Sequence, residues 1–209
     1  MPDQTNAPAR GGRRPATTRQ EIEHVAFGLF EDRGFELTTV DDIAAAAGIG
    51  RRTFFRYFPS KNDVPWGDFH GELDRMRARF AGCPAELPVM DALRAVVAGF
   101  NRIDQAEERW HRRRMTLILT VPALQAHATL RYADWRRVVA EFVAARLALP
   151  VDDLLPQALA HAALGVAVAA YERWLATPGA GLSALMEDAL AALASGFQVR
   201  GPATTRTRG

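Results

Sequence analysis

Hydrophobic residues recur along most of the chain at the three- and four-residue spacing of a helix that buries one face. The first such segment has an i, i+3, i+4, i+7, i+8 stripe, made by Ile22, Val25, Ala26, Leu29 and Phe30. Thr18 and Glu21 have the spacing of a capping box at its start. No stretch alternates polar and apolar residues for long enough to indicate a strand. The pattern therefore predicts an all-α protein.

Two short helices with a glycine turn between them are predicted in the segment from Thr38 to Lys61. Thr39 and Asp42 form a second capping-box pair, so a helix should begin at residue 40 and stop at Gly48. The next helix should occupy residues 51–58. A glycine-containing turn of this length joins two helices at a steep angle. The segment therefore has the pattern of a helix-turn-helix.

The second of these helices has one apolar face and one basic face. Phe54 and Phe58 are four residues apart and should pack against Ile43 and Ala47 of the preceding helix. An outward face of basic, hydroxyl and aromatic residues suits a DNA major groove. That face comprises Arg51, Arg52, Thr53, Phe55, Arg56 and Tyr57.

Further helices should follow to residue 197. Ser60 is expected to cap a helix that runs to about Phe80, with Pro65 and Gly67 loosening its first turns. The Gly- and Pro-containing segment 82–88 marks a break and is the favoured domain boundary on this pattern. Beyond it, prolines and glycines separate helices predicted at 89–105, 106–120, 123–148, 152–177 and 181–197.

The order of these features resembles the N-terminal domain of TetR-family transcriptional regulators. The resemblance covers roughly residues 13–70 and includes Thr38-Thr39-Val40, Ala47-Gly48-Ile49 and Lys61. Two segments, Arg51 to Tyr57 and Pro-Trp-Gly-Asp-Phe at 65–69, are similar to the mycofactocin-system regulators of this family. Position 55, commonly Tyr in the family, is Phe here, and Gly50 stands where a Ser-type cap is usual.

Composition and the resemblance together predict four parts. Residues 1–16, rich in Pro, Gly and Arg, should form a flexible basic arm, and 17–61 the helix-turn-helix domain with the start of its fourth helix. Residues 62–199 should form a helical domain for effector binding and dimerisation, and 200–209 a disordered tail. DNA contacts are expected from both the arm and the helix-turn-helix, at Arg13, Arg14, Thr39, Arg51, Arg52, Thr53, Phe55, Arg56, Tyr57 and Lys61.

Charge, cysteine content and hydropathy narrow the alternatives. The net charge of +2 does not by itself indicate a nucleic-acid partner, but residues 4–20 and 43–61 are basic and contain no acid. The single cysteine, Cys83, excludes a disulfide within one chain and a thiolate metal cluster. The first residues lack the apolar core of a signal peptide, and no apolar run reaches the roughly 20 residues of a membrane span. We expect a cytoplasmic protein with no cofactor or membrane partner.

Motifs for catalysis are scarce. The sequence has no HExxH, GxSxG, Walker or GxGxxG motif, and its histidines are dispersed. The pairs Asp41-Asp42 and Asp152-Asp153 both open predicted helices, so helix capping explains them better than acid–base catalysis. The sequence favours a non-enzymatic, ligand-responsive DNA-binding regulator. An α-helical enzyme or carrier with an incidental helix-turn-helix is the alternative.

The last two predicted helices have apolar faces too wide for one core. Small residues surround most of the segment 154–175, so one face could pack inward and another against a second copy. Two buried helices in a monomer are the alternative. A two-fold dimer would place two recognition helices on a palindromic operator, about 34 to 36 Å apart or slightly more.

The effector site is expected among the middle helices, as in TetR-like regulators. Aromatic and polarizable side chains there are either plain core or a cavity lining, and residues 109–114 are either a solvated basic face or a site for an anionic headgroup. His161, on an apolar helix, is either a core histidine or a ligand contact. The mycofactocin-system resemblance favours a long-chain acyl-coenzyme A effector, and repression is the family's usual mode. The candidate ligand residues are Trp66, Phe69, Phe100, Trp110, Arg112, Arg113, Arg114, Met115, Trp135, Phe142, His161 and Tyr171.

Overall fold

The computed structural model describes residues 17–196, which form nine α-helices and two 3₁₀ helices without a strand in that range. The chain divides into two compact units, one ending at Gly67 and the other beginning at Asp68. The all-α prediction is confirmed. The helices are α1 Arg19–Arg33, α2 Val40–Ala46, α3 Arg51–Tyr57, α4 Phe69–Ala81, α5 Val89–Phe100, α6 Glu108–Thr120, α7 Pro122–Leu147, α8 Leu154–Ala176 and α9 Leu182–Ala194.

The first unit consists of α1 to α3 and a 3₁₀ helix, Lys61–Trp66. Phe54 and Phe58 of α3 and its cap are both fully buried, as the four-residue spacing predicts. Ala44 of α2 is buried, and Ala47, just after the end of α2, is half-buried. The rest of this core includes Ile22, Ala26, Phe27, Phe30, Phe35, Ile43 and Val64.

Both predicted capping boxes are present. Thr18 Oγ1 accepts from the backbone N–H of Glu21 at 3.2 Å, and the Glu21 carboxylate accepts from Thr18 N–H at 2.8 Å. Thr39 and Asp42 make the same reciprocal pair at the start of α2, at 3.1 and 2.8 Å. These bonds satisfy backbone donors that the first turn of a helix leaves without partners.

The expected helix from Ser60 to Phe80 is wrong in its first half. A 3₁₀ helix occupies 61–66, Gly67 adopts φ 55° and ψ −134°, and α4 begins only at Phe69. The Ser60 hydroxyl makes no capping bond to the backbone and donates to the Asp63 carboxylate at 2.7 Å. Pro65 lacks an N–H and Gly67 has left the helical region, so a continuous helix cannot form through this segment.

The second unit is a helical bundle in which α8 packs against α7 and α9, and α4, α5 and α6 against the same core. Trp174 of α8 is fully buried, and Phe80 of α4 stacks on Phe142 of α7 with 4.2 Å between ring centroids. Six helices, α4 to α9, therefore contribute to one apolar interior. Its remaining buried members include Leu73, Met76, Leu93, Val97, Trp135, Val139, Val143, Tyr171, Met186 and Leu190.

Helix α5 is shorter than predicted. It ends at Phe100 rather than at residue 105, because the Asn101 side chain donates to the Val97 carbonyl at 2.8 Å and closes the last turn. A 3₁₀ turn, Gln105–Glu107, then leads into α6. Helix α9 ends at Ala194, and the predicted end at residue 197, like the predicted tail, lies outside the described residues.

The break at residues 82–88 is a loop inside the second unit rather than a domain boundary. Arg146 of α7 holds this loop by donating to the carbonyls of Cys83, Pro84, Ala85 and Leu87 at 2.6 to 3.1 Å. Five N–H donors in a rigid fork allow one guanidinium to satisfy so many acceptors. The loop is therefore fixed against the bundle.

Helix α8 is long and apolar enough, by length and composition alone, to cross a membrane, although the core helix of a soluble protein passes the same test. The sequence count missed this because the helix is longer than its uninterrupted apolar run. One side of α8 packs inward through Ala160, Ala163, Ala167 and Ala170. Small and aliphatic residues also remain on its exposed side, and Leu154 at its start is 83% exposed.

Candidate nucleic-acid interface and effector region

The solvent-facing side of α3 carries the predicted basic and aromatic residues. Arg51, Arg52 and Arg56 are exposed, Phe55 is 42% exposed, and Thr53 and Tyr57 are half-buried. The side chain of Phe54 anchors this helix from beneath and contacts Phe55 edge to face, with 5.5 Å between centroids. The apolar spacing of α3 thus produces the outward face that the sequence predicted.

Arg51, the first residue of α3, is held by an acid of α2. Its Nη1 donates to both carboxylate oxygens of Asp41, at 2.9 and 2.8 Å. The guanidinium carbon also lies 5.4 Å from the centre of the Phe55 ring. Sequence reasoning assigned Asp41 to a helix start and missed this pairing, because the steep turn between the helices is what brings the two side chains together.

Arg56 and Tyr57 form a second arrangement at the end of α3. The Tyr57 hydroxyl donates to the carbonyl of Thr17 at 2.7 Å, which connects α3 to the residues before α1. Arg56 lies over the Tyr57 ring at 5.1 Å and donates to its hydroxyl oxygen at 3.4 Å. Residues 13 and 14, the predicted arm contacts, lie outside the described residues.

Lys61 has a structural role that the sequence did not indicate. Its ammonium donates to the carbonyls of Phe35 at 2.7 Å, Thr38 at 2.9 Å and Glu36 at 3.4 Å, and lies 4.3 Å from the centre of the Phe35 ring. Burial lowers the pKa of this ammonium, and the charge of Glu36 opposes that shift. The predicted contact with DNA phosphate stays a prediction, and it would compete with these carbonyls.

Thr39, also predicted to contact DNA, is exposed while its hydroxyl takes part in the α2 cap. Arg52 is exposed, and within residues 17–196 its guanidinium has no hydrogen-bond or ion-pair partner. The arginines of α3 therefore differ in constraint. Neighbouring side chains hold Arg51 and Arg56, whereas none holds Arg52 within residues 17–196.

A chain of polar side chains, buried at Asn101 and Tyr171 and half-buried at His111, joins three helices of the second unit. The Tyr171 hydroxyl of α8 donates to Asn101 Oδ1 at 2.9 Å and lies 3.0 Å from His111 Nε2 of α6. Because the Tyr171 proton is given to Asn101, His111 must donate through Nε2–H, and its Nδ1 is left unprotonated. Asn101 was not a candidate residue, since an asparagine after a helix is usually only a cap.

Electrostatics keep this chain neutral. Burial, with a smaller effect from the charge of Arg114, lowers the pKa of His111 to about 4. Burial raises the pKa of Tyr171 strongly, so its phenol stays protonated. The chain is therefore a set of fixed dipoles at neutral pH, suited to hydrogen bonding rather than to holding charge.

The basic run of α6 is partly used within the protein. Arg112 donates to the Trp174 carbonyl at 2.9 Å, lies over the Trp174 ring at 4.1 Å and is 3.7 Å from Glu108. Arg113 and Arg114 are half-buried, and neither lies on a fully solvated face. The ring N–H of Trp174 is buried and makes no hydrogen bond within the described residues.

The predicted ligand residues are not all brought together. Trp66 lies on the 3₁₀ helix of the first unit, whereas the others belong to the second. Trp135 and Phe142 are buried in its core, and Phe69, Phe100, Trp110 and Met115 are half-buried. The expected burial of His161 is wrong: it is exposed on α8, with Nδ1 2.8 Å from the Gln157 carbonyl. The remaining ligand roles stay predictions.

Two family descriptions match the chain. Residues 22–64 match the bacterial regulatory proteins of the tetR family, and residues 87–198 match the MftR C-terminal domain. The Mycobacterium tuberculosis protein named mycofactocin biosynthesis transcriptional regulator MftR is 44% identical over 189 residues, covering 90% of this chain and 96% of that relative. The transcriptional regulator TcmR of Streptomyces glaucescens is 30% identical over 154 residues, covering 71% and 68%.

Solved structures share the fold. FadR of Thermus thermophilus, a TetR-family repressor in complex with lauroyl-CoA, is 23% identical with a TM-score of 0.56 and covers 91% of this chain and 100% of that one. The fatty acid degradation regulator FadR of Bacillus halodurans is 18% identical with a TM-score of 0.63 and covers 86% and 99%. At these identities the likeness concerns the fold alone.

Proposed function

Because this chain belongs to the TetR family of DNA-binding transcriptional regulators, we propose that it acts as a repressor, binds a palindromic operator as a homodimer and is released by a long-chain acyl-coenzyme A. The observation that carries the DNA contact is the exposed face of α3, to which the helix itself contributes three arginines and no acid. A second helix of a helix-turn-helix places such a face in the major groove. Arg13 and Arg14 would add contacts from the arm, in the minor groove or on phosphates.

The name of the M. tuberculosis relative supports mycofactocin genes as the target. An electrophoretic mobility shift with the duplex upstream of the chain's own gene tests operator recognition. We expect binding that survives excess random duplex and falls with rising salt, as phosphate contacts require. Equal affinity for the upstream and random duplexes would contradict operator recognition.

The exposed apolar side of α8 supports the homodimer. A second copy would cover the small residues of this helix, and alanine faces permit close approach. Ala169→Arg should convert a dimer to a monomer in sedimentation velocity at micromolar concentration. Ala78→Arg adds the same charge on an exposed position of α4 and should leave the dimer intact. A native monomer at that concentration would contradict the proposal.

Two observations support the effector class. FadR of T. thermophilus, which shares the fold, was solved with lauroyl-CoA. The second unit combines an apolar interior with half-buried Arg113 and Arg114, and the charge of Arg114 acts on His111. The acyl tail would enter the apolar interior, and the phosphorylated head would pair with the arginines. The sequence alone supports the inclusion of Trp66 among the residues that respond to the effector.

The effector test is a titration of palmitoyl-CoA into the complex of protein and upstream duplex. We expect at least a tenfold loss of DNA affinity, which requires about 1.4 kcal/mol of coupling between the sites. Arg113→Glu and Trp66→Ala should blunt this response more than they weaken DNA binding itself. Arg137→Glu reverses the charge of an exposed arginine of α7 and should respond as the native protein does. Unchanged DNA affinity with saturating palmitoyl-CoA would contradict this effector.

A further inference from the structure

The contact between Asp41 and Arg51 is unusual for its place, because it puts a carboxylate on the side of the helix-turn-helix that meets DNA. The two side chains are 66% and 61% exposed, and the nearest N···O distance is 2.8 Å. An acid there opposes binding to any duplex by repelling phosphate. Such a residue needs an explanation other than affinity.

The stability of the fold does not explain the presence of this acid. Exposed ion pairs contribute little, since water and salt screen the attraction and two long side chains lose freedom. The caps of α2 and the buried rings of Phe54 and Phe58 already fix the angle between the two helices. The consequence of the pair is therefore the position of the guanidinium itself.

The geometry leaves one edge of Arg51 available. Nη1 donates to both carboxylate oxygens of Asp41. Within residues 17–196, Nε and Nη2 have no hydrogen-bond partner. The guanidinium is further restrained by the Phe55 ring, four residues later on the same face. A free Nε–Nη2 edge is the fork that makes two parallel hydrogen bonds to guanine O6 and N7.

We propose that Asp41 is a positioning residue that fixes Arg51 to read a guanine in each half of the operator, an inference that rests on the operator binding proposed above. Residues at the start of a recognition helix are the ones that contact base edges. Prior restraint of a long side chain lowers the ordering cost at the correct base. The acid also weakens binding to other duplexes, so it exchanges affinity for specificity.

The experiment selects duplexes from a randomised library with the full chain, and with Asp41→Ala, Arg51→Ala and the double variant. We expect the native protein to enrich a palindrome with one fixed guanine per half-site. Arg51→Ala should reduce the preference for that guanine by about tenfold or more. Asp41→Ala should reduce it by about threefold, and should also raise affinity for random duplex severalfold. In the Arg51→Ala background, removing Asp41 should cause no further loss at that base.

Asp32→Ala is the matched control, because Asp32 is an exposed acid at the end of α1 and its removal changes the charge by the same amount. It should leave the fixed guanine unchanged. Equal broadening by Asp32→Ala, or further broadening by Asp41→Ala without Arg51, would overturn the positioning role. If all variants enrich the same palindrome with the same base preferences, this inference is refuted, but operator binding is supported. If the native chain enriches no sequence, operator binding fails, and this inference with it.

Discussion

At the scale of single residues, the recognition face combines fixed and adaptable side chains. Arg51 is held by Asp41 and Phe55, and Arg56 by Tyr57, whereas Arg52 extends into solvent. Restrained arginines favour one base or phosphate geometry, and an unrestrained one can follow the backbone of any sequence. The basic composition of α3 was readable from the sequence, but this division of roles was not.

Phe55 should read a thymine methyl group. A phenyl ring cannot hydrogen-bond phosphate, as the tyrosine common at this position can, but it contacts the C5 methyl of thymine well. Replacing each operator thymine in turn by deoxyuridine should weaken native binding about threefold to fourfold at one position, the value of one buried methyl. Phe55→Ala should bind both duplexes equally. Native binding that is insensitive to every replacement would contradict this contact.

Lys61→Met should destabilise the first unit. The variant keeps the length of the side chain but leaves the carbonyls of Phe35 and Thr38 without their donor. We expect a loss of about 1 to 3 kcal/mol in the free energy of unfolding, measured in urea. Arg52→Met, which removes a charge that has no partner within residues 17–196, should change it by less than about 0.5 kcal/mol. Equal effects would show that the carbonyl contacts contribute nothing.

At the scale of elements, local rules explain what the sequence could predict. The caps of α1 and α2 and the spacing of Phe54 and Phe58 depend on residues three or four apart, so these elements are where the pattern places them. The segment 60–68 was misread because Ser60 has the identity of a cap but gives its hydroxyl to Asp63. The Asp41–Arg51 pair and the Asn101–Tyr171–His111 chain depend on distant residues, which no local pattern relates.

Gly67 should resist substitution. Its backbone angles, φ 55° and ψ −134°, lie in a region that residues with a Cβ rarely adopt. Gly67→Ala should therefore cost about 1 to 3 kcal/mol in the free energy of unfolding. Gly28→Ala is the control, because it lies within α1 and an added Cβ would meet no atom within 4 Å. That change should stabilise by about 0.5 to 1 kcal/mol. A neutral Gly67→Ala would contradict the strain argument.

At the scale of the whole molecule, the second unit combines an apolar interior with one buried polar chain. The apolar positions were predictable as a set from helical periodicity, although the sequence did not separate core from cavity. Helix α8 presents small residues on both its buried and its exposed sides, as its composition indicated. His161 was misplaced because that same composition conceals which side faces inward.

The half-buried His111 should make stability depend on pH. The pKa of His111 is about 4 in the folded protein, against 6.5 for an unperturbed histidine, so between these values only the unfolded chain binds the proton. The free energy of unfolding therefore keeps its full value above pH 6.5. It decreases as the pH falls towards 4, by about 3 kcal/mol in all. Urea unfolding at several pH values measures it. His111→Gln should flatten this part of the profile, whereas His24→Gln, at an exposed position, should follow the native curve. An unchanged profile for His111→Gln would contradict the assignment.

Chemical labelling of Lys61 can also measure local opening of the DNA-binding unit. Lys61 is the sole lysine of the sequence, and its nitrogen is covered by three carbonyls and a phenyl ring. Labelling of Lys61 by an amine-specific acylating reagent should therefore speed up when the loop between α1 and α2 opens and these contacts break. Peptide mass mapping separates this product from the α-amino product. The rate of labelling at Lys61 then follows, without any added dye, how often this part of the DNA-binding unit opens.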